Sequence, residues 1–145
     1  MNFSIEYRLP SNTEYQQLCE SVGWGEIINF EASQPALDNS VVGVVATAEN
    51  GDVIGMGRIV GDGAIYFYIQ DIVVVPDFQK QGIGRSILSA LIQYLQDNGP
   101  AKSFIGLFSV PEAIEFYKQF TLEKRDLVGL FTVMEIIQSQ TEQAD

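Results

Sequence analysis

The chain reads as an α/β (α+β) protein in which a mixed central sheet of about six to seven strands is flanked by helices. Three observations predict this. Short β-rich runs recur with turn residues between them, the second half of the run Ala64 to Val75 is apolar on both faces, and a strand–helix–strand order spans Ile65 to Phe108. That last order implies a right-handed parallel crossover, whereas tight turns between neighbouring runs imply antiparallel pairs, so both kinds of pairing share one sheet. A chain of 145 residues, 46% of them hydrophobic, is the length of one ordinary domain and can bury one core. The expected organisation is one domain over 1–137 and a solvated tail over 138–145.

Taken in order, Phe3, Ile5 and Tyr7 alternate with polar residues, as in a strand with one buried face. Ser11-Asn12-Thr13-Glu14 fits a capping box, and Gly23 follows Val22 as a stop, which frames a first helix. The stretch from Trp24 to Ser40 is irregular, with room for a second short helix. Val41 to Ala48 and Val53 to Val60 are β-rich, and Glu49-Asn50-Gly51-Asp52 between them supplies the positive φ of a hairpin turn. After Gly61-Asp62-Gly63, the run Ala64 to Val75 suits a central strand, which Pro76 ends.

From Gly84 the period becomes helical. Ile87, Leu88, Leu91, Ile92 and Leu95 form one apolar stripe, closed by Asn98-Gly99-Pro100. Ser103 to Phe108 reads as a strand and Pro111 as a first helical residue, followed by a short helix through Ala113, Ile114, Phe116 and Tyr117. Leu122 to Asp126 and Leu130 to Ile137 complete the reading as two final strands.

Composition excludes several function classes. A formal charge of −11 opposes the phosphate backbone of nucleic acids, which is held by clustered Lys and Arg. No apolar stretch approaches a membrane span, and Met1 to Glu6 lack the basic and apolar regions of a secretory signal, so a cytoplasmic protein is expected, with neither membrane nor nucleic acid as partner. There is no histidine and a single cysteine, which removes the usual general base, an internal disulfide and the commonest metal ligands, so no metal site is expected. Cys19 falls with Tyr15, Leu18 and Val22 at helical spacing, the position of a core residue more than of a nucleophile.

The segment richest in chemistry lies between the strand ending at Pro76 and the helix beginning near Gly84: Gln79-Lys80-Gln81-Gly82-Ile83-Gly84. Amides at a helix N-terminus point outward without intrahelical partners, and the helix dipole adds positive potential, so such a loop can wrap a pyrophosphate. Gly82 and Gly84 permit close approach of the backbone, and Lys80 and Arg85 supply local positive charge in an acidic chain.

The run Gln70-Asp71-Ile72-Val73-Val74-Val75-Pro76-Asp77-Phe78-Gln79-Lys80-Gln81-Gly82-Ile83-Gly84-Arg85-Ser86-Ile87-Leu88 resembles the cofactor motif of Gcn5-related N-acetyltransferases: apolar strand, proline, Gln/Arg-x-x-Gly-x-Gly/Ala, amphipathic helix. Pro111-Glu112-Ala113-Ile114-Glu115-Phe116-Tyr117-Lys118-Gln119-Phe120 resembles the second motif of that family, with Gln119 where the family often has Gly and Ser109 where it often has Asn. The resemblance extends from about Ser4 to Ile137 and implies the acyl-CoA N-acyltransferase fold, with acetyl-CoA as acetyl donor and a small-molecule or peptide amine as acceptor. Under it, Ile72, Val73 and Val74 offer main-chain groups to the pantetheine arm, with the Val74 amide facing the thioester oxygen. Gln79, Lys80, Gln81, Gly82, Ile83, Gly84, Arg85 and Ser86 hold the pyrophosphate, and Tyr117 is the general acid toward the departing thiolate. Asp71, just before the cofactor segment, is the leading candidate for general base, with Glu26, Glu31 and Glu115 behind it.

The expected reaction is direct transfer in a ternary complex, because no activated Ser or Cys nucleophile is visible. The alternative is a non-catalytic acyl-CoA-binding sensor or scaffold, which would dispense with Tyr117. A Rossmann-type nucleotide site is disfavoured because the loop follows antiparallel strands. A homodimer is among the assemblies the reading allows.

Overall fold

The computed structural model describes residues 2–143. The chain falls into two compact units, one ending at Leu107 and one starting at Phe108.

The first unit carries the sheet. Strands β1 (Phe3–Glu6), β2 (Val42–Ala48), β3 (Val53–Gly61), β4 (Tyr66–Val74) and β5 (Phe104–Gly106) are ordered β1-β2-β3-β4-β5. Pairing is antiparallel as far as β4 and parallel between β4 and β5. The crossover from β4 to β5 runs through helix α3 (Ile83–Asn98). The β2–β3 turn closes as its sequence requires, with Gly51 at φ 93° and the Asn50 side chain accepting from the Asp52 amide at 3.0 Å.

Helix α1 (Asn12–Ser21) starts on the expected capping box: Ser11 Oγ accepts from the Glu14 amide at 3.1 Å, and Glu14 Oε1 accepts from the Ser11 amide at 2.8 Å. A short helix α2 (Ser33–Asp38) occupies the stretch read as irregular. Alternate residues of a strand face opposite sides of the sheet. Met56, Val45 and Val73 accordingly form one buried cluster with Tyr15, Leu18, Cys19 and Leu37 from α1 and α2. On the other face lie Ile83, Ile87, Leu88, Leu91 and Leu95 of α3, all buried. Each such side chain contributes about 1.5–3 kcal/mol of hydrophobic stabilisation.

Two glycines set how closely α3 lies. A Cβ built on Gly57 would stand 2.6 Å from Ile72 Cδ1 and 2.8 Å from Ile87 Cγ2, and one on Gly55 would stand 2.9 Å from Ile87 Cδ1.

The second unit holds a 3-10 turn, Pro111–Ala113, with Pro111 at its first position, then α4 (Ile114–Lys118) and α5 (Met134–Gln143). The two strands expected over Leu122 to Asp126 and Leu130 to Ile137 do not form. Residues 122–133 are irregular, and Met134 to Ile137 begin α5. The sheet therefore has five strands where about six to seven were expected. Apolar and β-branched residues suit a pleated surface beside a neighbouring strand, and they specify a strand only where a ladder partner is present. β5 is likewise shorter than Ser103 to Phe108. Of the expected tail, residues 138–143 continue α5 and 144–145 lie outside the described residues. Among the described residues no helix is long and apolar enough to cross a membrane.

Candidate active site

The far end of β4 is an open edge. The Val75 amide donates to Ile54 of β3 at 2.9 Å, so the pair before it in the ladder, Val74 opposite Gly55, directs the amide and carbonyl of Val74 away from β3. On that side β5 has already ended, its last pairing being Gly106 with Tyr68. The Val74 carbonyl accepts from Gln79 Nε2 at 2.9 Å, which ties the strand end to the loop that follows.

That loop makes a 3-10 turn at Pro76–Phe78 and enters α3 through two left-handed residues, Lys80 at φ 65° and Gly82 at φ 86°. Gly82 is the N-cap of α3, and no side chain makes a capping hydrogen bond there. A Cβ built on Gly82 would meet nothing within 4 Å, so space for a ligand lies directly against the backbone. A cradle of main-chain donors at the positive end of a helix, with Lys80 exposed beside it, suits a pyrophosphate. The segment Ile72 to Ser86 is thus one strand end, one turn and one helix start on the same unit.

Asp71 stands at a discontinuity in β4. Met56 pairs with Val73 but Arg58 pairs with Gln70, leaving Asp71 and Ile72 opposite Gly57 alone, a bulge in which Asp71 takes φ 57°. Its Oδ2 accepts from Arg58 Nε at 2.7 Å and from the Tyr15 hydroxyl at 2.9 Å. Arg58 reaches on from Nη1 to Ser40 Oγ at 3.0 Å and the Ala36 carbonyl at 3.3 Å, and its guanidinium lies 5.9 Å from the centre of the Tyr15 ring. Burial, and then the Asp71 carboxylate, push the Tyr15 phenol above its ordinary pKa. The same two causes push the Cys19 thiol up to about 11, and Cys19 is fully buried, so it stays a thiol and does not act as a nucleophile.

Arg58 and Tyr15 were not singled out by the sequence, since they lie 13 and 56 residues from Asp71. A signal for Arg58 existed: a lone arginine inside the apolar run Val53 to Val60 needs a carboxylate, and Asp71 is the acid of the next strand.

Tyr117 lies on α4 in the second unit. Its ring meets Phe116 edge-on at 5.2 Å, and Phe116 in turn lies 5.8 Å from Phe120. Burial raises the Tyr117 phenol above its ordinary pKa, so it is a proton donor at neutral pH. Glu115, a weaker base candidate, pairs with Lys118 at 3.4 Å on the same short helix.

Residues 9–121 match the model of the acetyltransferase (GNAT) family. An uncharacterized N-acetyltransferase of Pyropia yezoensis is 32% identical over 123 residues, spanning 81% of this chain and 69% of its own length. A crystal structure of a probable acetyltransferase from meticillin-resistant Staphylococcus aureus superposes with a TM-score of 0.82 at 25% identity, over 91% of this chain and 99% of that one. An aminoglycoside N-acetyltransferase solved in complex with CoA shares the fold alone, with a TM-score of 0.68 at 13% identity, over 92% of this chain and 95% of that one.

Proposed function

The chain belongs to the acetyltransferase (GNAT) family, and from that premise we propose that it transfers an acetyl group from acetyl-CoA to a primary amine by direct attack in a ternary complex. The observation that carries the reading is the open end of β4, where the main-chain groups of Val74 point off the sheet beside a side-chain-free helix start at Gly82.

Acetyl-CoA would supply the activated acetyl thioester. Ile72, Val73 and Val74 would bind its pantetheine arm, and Gln79 to Ser86 its pyrophosphate. The Val74 amide would donate to the thioester oxygen as negative charge develops there, a contribution of about 3 kcal/mol at comparable acyl-transfer sites. An ammonium must lose a proton before nitrogen can attack, and we assign its acceptance, directly or through one water, to Asp71. With Oδ2 already engaged by Arg58 and Tyr15, Oδ1 is the oxygen assigned to that proton. As the new N–C bond forms and the C–S bond breaks, the Tyr117 phenol would give its proton to the leaving sulfur; the second proton shed by the attacking nitrogen would restore the phenol through water, and the proton taken by Asp71 would pass to solvent. The buried, unactivated thiol of Cys19 supports direct attack over an acetyl-enzyme. The formal charge of −11 favours approach of a cationic acceptor, and a cytoplasmic site of action belongs to the same proposal.

The test is thiol release from acetyl-CoA with spermidine, phenethylamine, kanamycin and a peptide with a free N-terminal alanine. Turnover above the amine-free rate with any of them supports the reading. Binding of acetyl-CoA without turnover on any amine would leave an acyl-CoA sensor as the better description.

A further inference from the structure

We propose that Arg58 is a positioning residue for acetyl transfer, acting through Asp71; the proposal rests on the reading of Asp71 as proton acceptor given above. Arg58 is the one cation in a strand otherwise made of apolar residues and glycine, and the side chains of Arg58 and Asp71 retain only 13% and 10% of their exposure. A charge so placed needs a strong reason to be there, since an apolar pair of similar volume stabilises a core as well or better.

The geometry supplies that reason. Asp71 is a left-handed residue in the middle of a strand, two residues before Val73 and three before Val74. A carboxylate on such a kink can swing with the backbone unless it is gripped. Arg58 grips it from a rigid planar fork. Nε holds Oδ2 at 2.7 Å, while Nη1 is fixed by Ser40 Oγ at 3.0 Å and the Ala36 carbonyl at 3.3 Å. Tyr15 of α1 donates to the same Oδ2 at 2.9 Å, so both donors converge on one oxygen and leave the other directed elsewhere. Two segments, β3 and α1, therefore converge on a single carboxylate oxygen, and a third, at Ala36 and Ser40, anchors the guanidinium that holds it, which fixes the carboxylate and the start of the Val73–Val74 segment together.

The experiment compares Arg58→Gln, Arg58→Lys, Asp71→Asn, Asp71→Gly and the doubles Arg58→Gln/Asp71→Asn and Arg58→Gln/Asp71→Gly. The acceptor is whichever of spermidine, phenethylamine, kanamycin and the alanine peptide turns over fastest, and the acetyl-CoA-induced melting shift is recorded for each variant. Arg58→Gln is expected to lower kcat roughly ten- to hundred-fold, the scale of a small misplacement of a reacting group, with acetyl-CoA affinity within about twofold of wild type. Arg58→Lys keeps the charge but loses the fork and should recover only part of the rate. In the Asp71→Asn background, Arg58→Gln should change kcat by less than about twofold, because the residue it acts through is already altered. Equal losses in both backgrounds, or an Arg58→Gln enzyme with wild-type kcat, would overturn the proposal. If Arg58→Gln does not fold, the same cycle is read with Arg58→Lys.

Asp71→Gly separates the two readings, since glycine adopts φ 57° freely and preserves the kink without the carboxylate. Wild-type turnover in Asp71→Gly would remove Asp71 as base. Arg58 would still stand as acting through Asp71 if its substitution were costly in the native chain and silent in the Asp71→Gly chain.

Discussion

The two halves of the candidate site are built from different materials. Around Val74 and Gly82 the useful groups are main-chain amides, placed by a strand that outruns its neighbour and by a helix whose N-cap has no side chain. Around Asp71 they are side chains, drawn together from α1, β3 and β4 across long sequence separations. A main-chain site tolerates side-chain changes except where a backbone conformation or open space is required. A side-chain site fails on loss of a single polar atom, however well the shape is kept.

The largest effect that could break this contrast is expected at Gly82. Gly82→Val places a branched side chain in the open space beside the backbone at φ 86°, where nothing now stands within 4 Å, and strains that left-handed residue by about 1–2 kcal/mol. The variant should still melt cooperatively. It should lose the acetyl-CoA stabilisation, which for the parent is about 2.7 kcal/mol at one hundred times the dissociation constant. Thermal melts with and without acetyl-CoA check this, and an undiminished shift would mean the cradle is elsewhere.

Next is Tyr117→Phe, which keeps the ring against Phe116 and removes one oxygen. Turnover should fall about 10²-fold or more with acetyl-CoA affinity nearly intact, the pattern of a lost proton donor. Because burial raises this phenol, the donor form persists to higher pH than an ordinary tyrosine. Any loss of rate caused by its ionisation should therefore begin only above about pH 10. A pH–rate profile with chemistry shown to limit turnover reads both points, and wild-type turnover in the variant would assign the proton to another group.

A smaller effect sharpens the comparison from the opposite side. Gln81→Ala leaves every main-chain donor of the loop in place, and acetyl-CoA affinity measured by titration should stay within about twofold, well under the 1.4 kcal/mol of a tenfold change. The least change is expected at Cys19. Its thiol is fully buried and pushed up to about 11, so iodoacetamide at pH 8 should leave the native protein unalkylated and fully active. Rapid alkylation by mass spectrometry would show that α1 opens readily.

Around Val74 and Gly82 the elements were legible in the sequence to within one residue, the strand expected to reach Val75 ending at Val74 and the helix expected to begin near Gly84 starting at Ile83. Pro76, the glycines at 82 and 84 and the stripe from Ile87 to Leu95 mark a strand end, a left-handed turn and a helix start by local chemistry alone. The side-chain half was legible only at Asp71, because its partners are brought to it by sheet register and by the packing of α1, neither of which leaves a local mark. The final strands failed for a related reason. Leu130 to Ile137 is rich in apolar residues, whereas Leu122 to Asp126 has Leu122 alone before four charged residues, and a strand is in any case a relation between two segments. Met134, Glu135 and Gln138 are at least as content in the helix they enter.

The glycines under α3 carry a consequence of another kind. Most core dimensions in a protein are averages over interlocking side chains, and drift in one is absorbed by its neighbours. The separation between α3 and β3 at Gly55 and Gly57 is set instead by bare backbone, with Ile87, joined at Gly57 by Ile72 of β4, occupying the place of the missing methyl groups. It acts as a fixed datum. The height of the first turn of α3 above the end of β4, and with it the spacing between the two sets of main-chain groups, therefore rests on two hydrogen atoms where other residues carry a methyl or more.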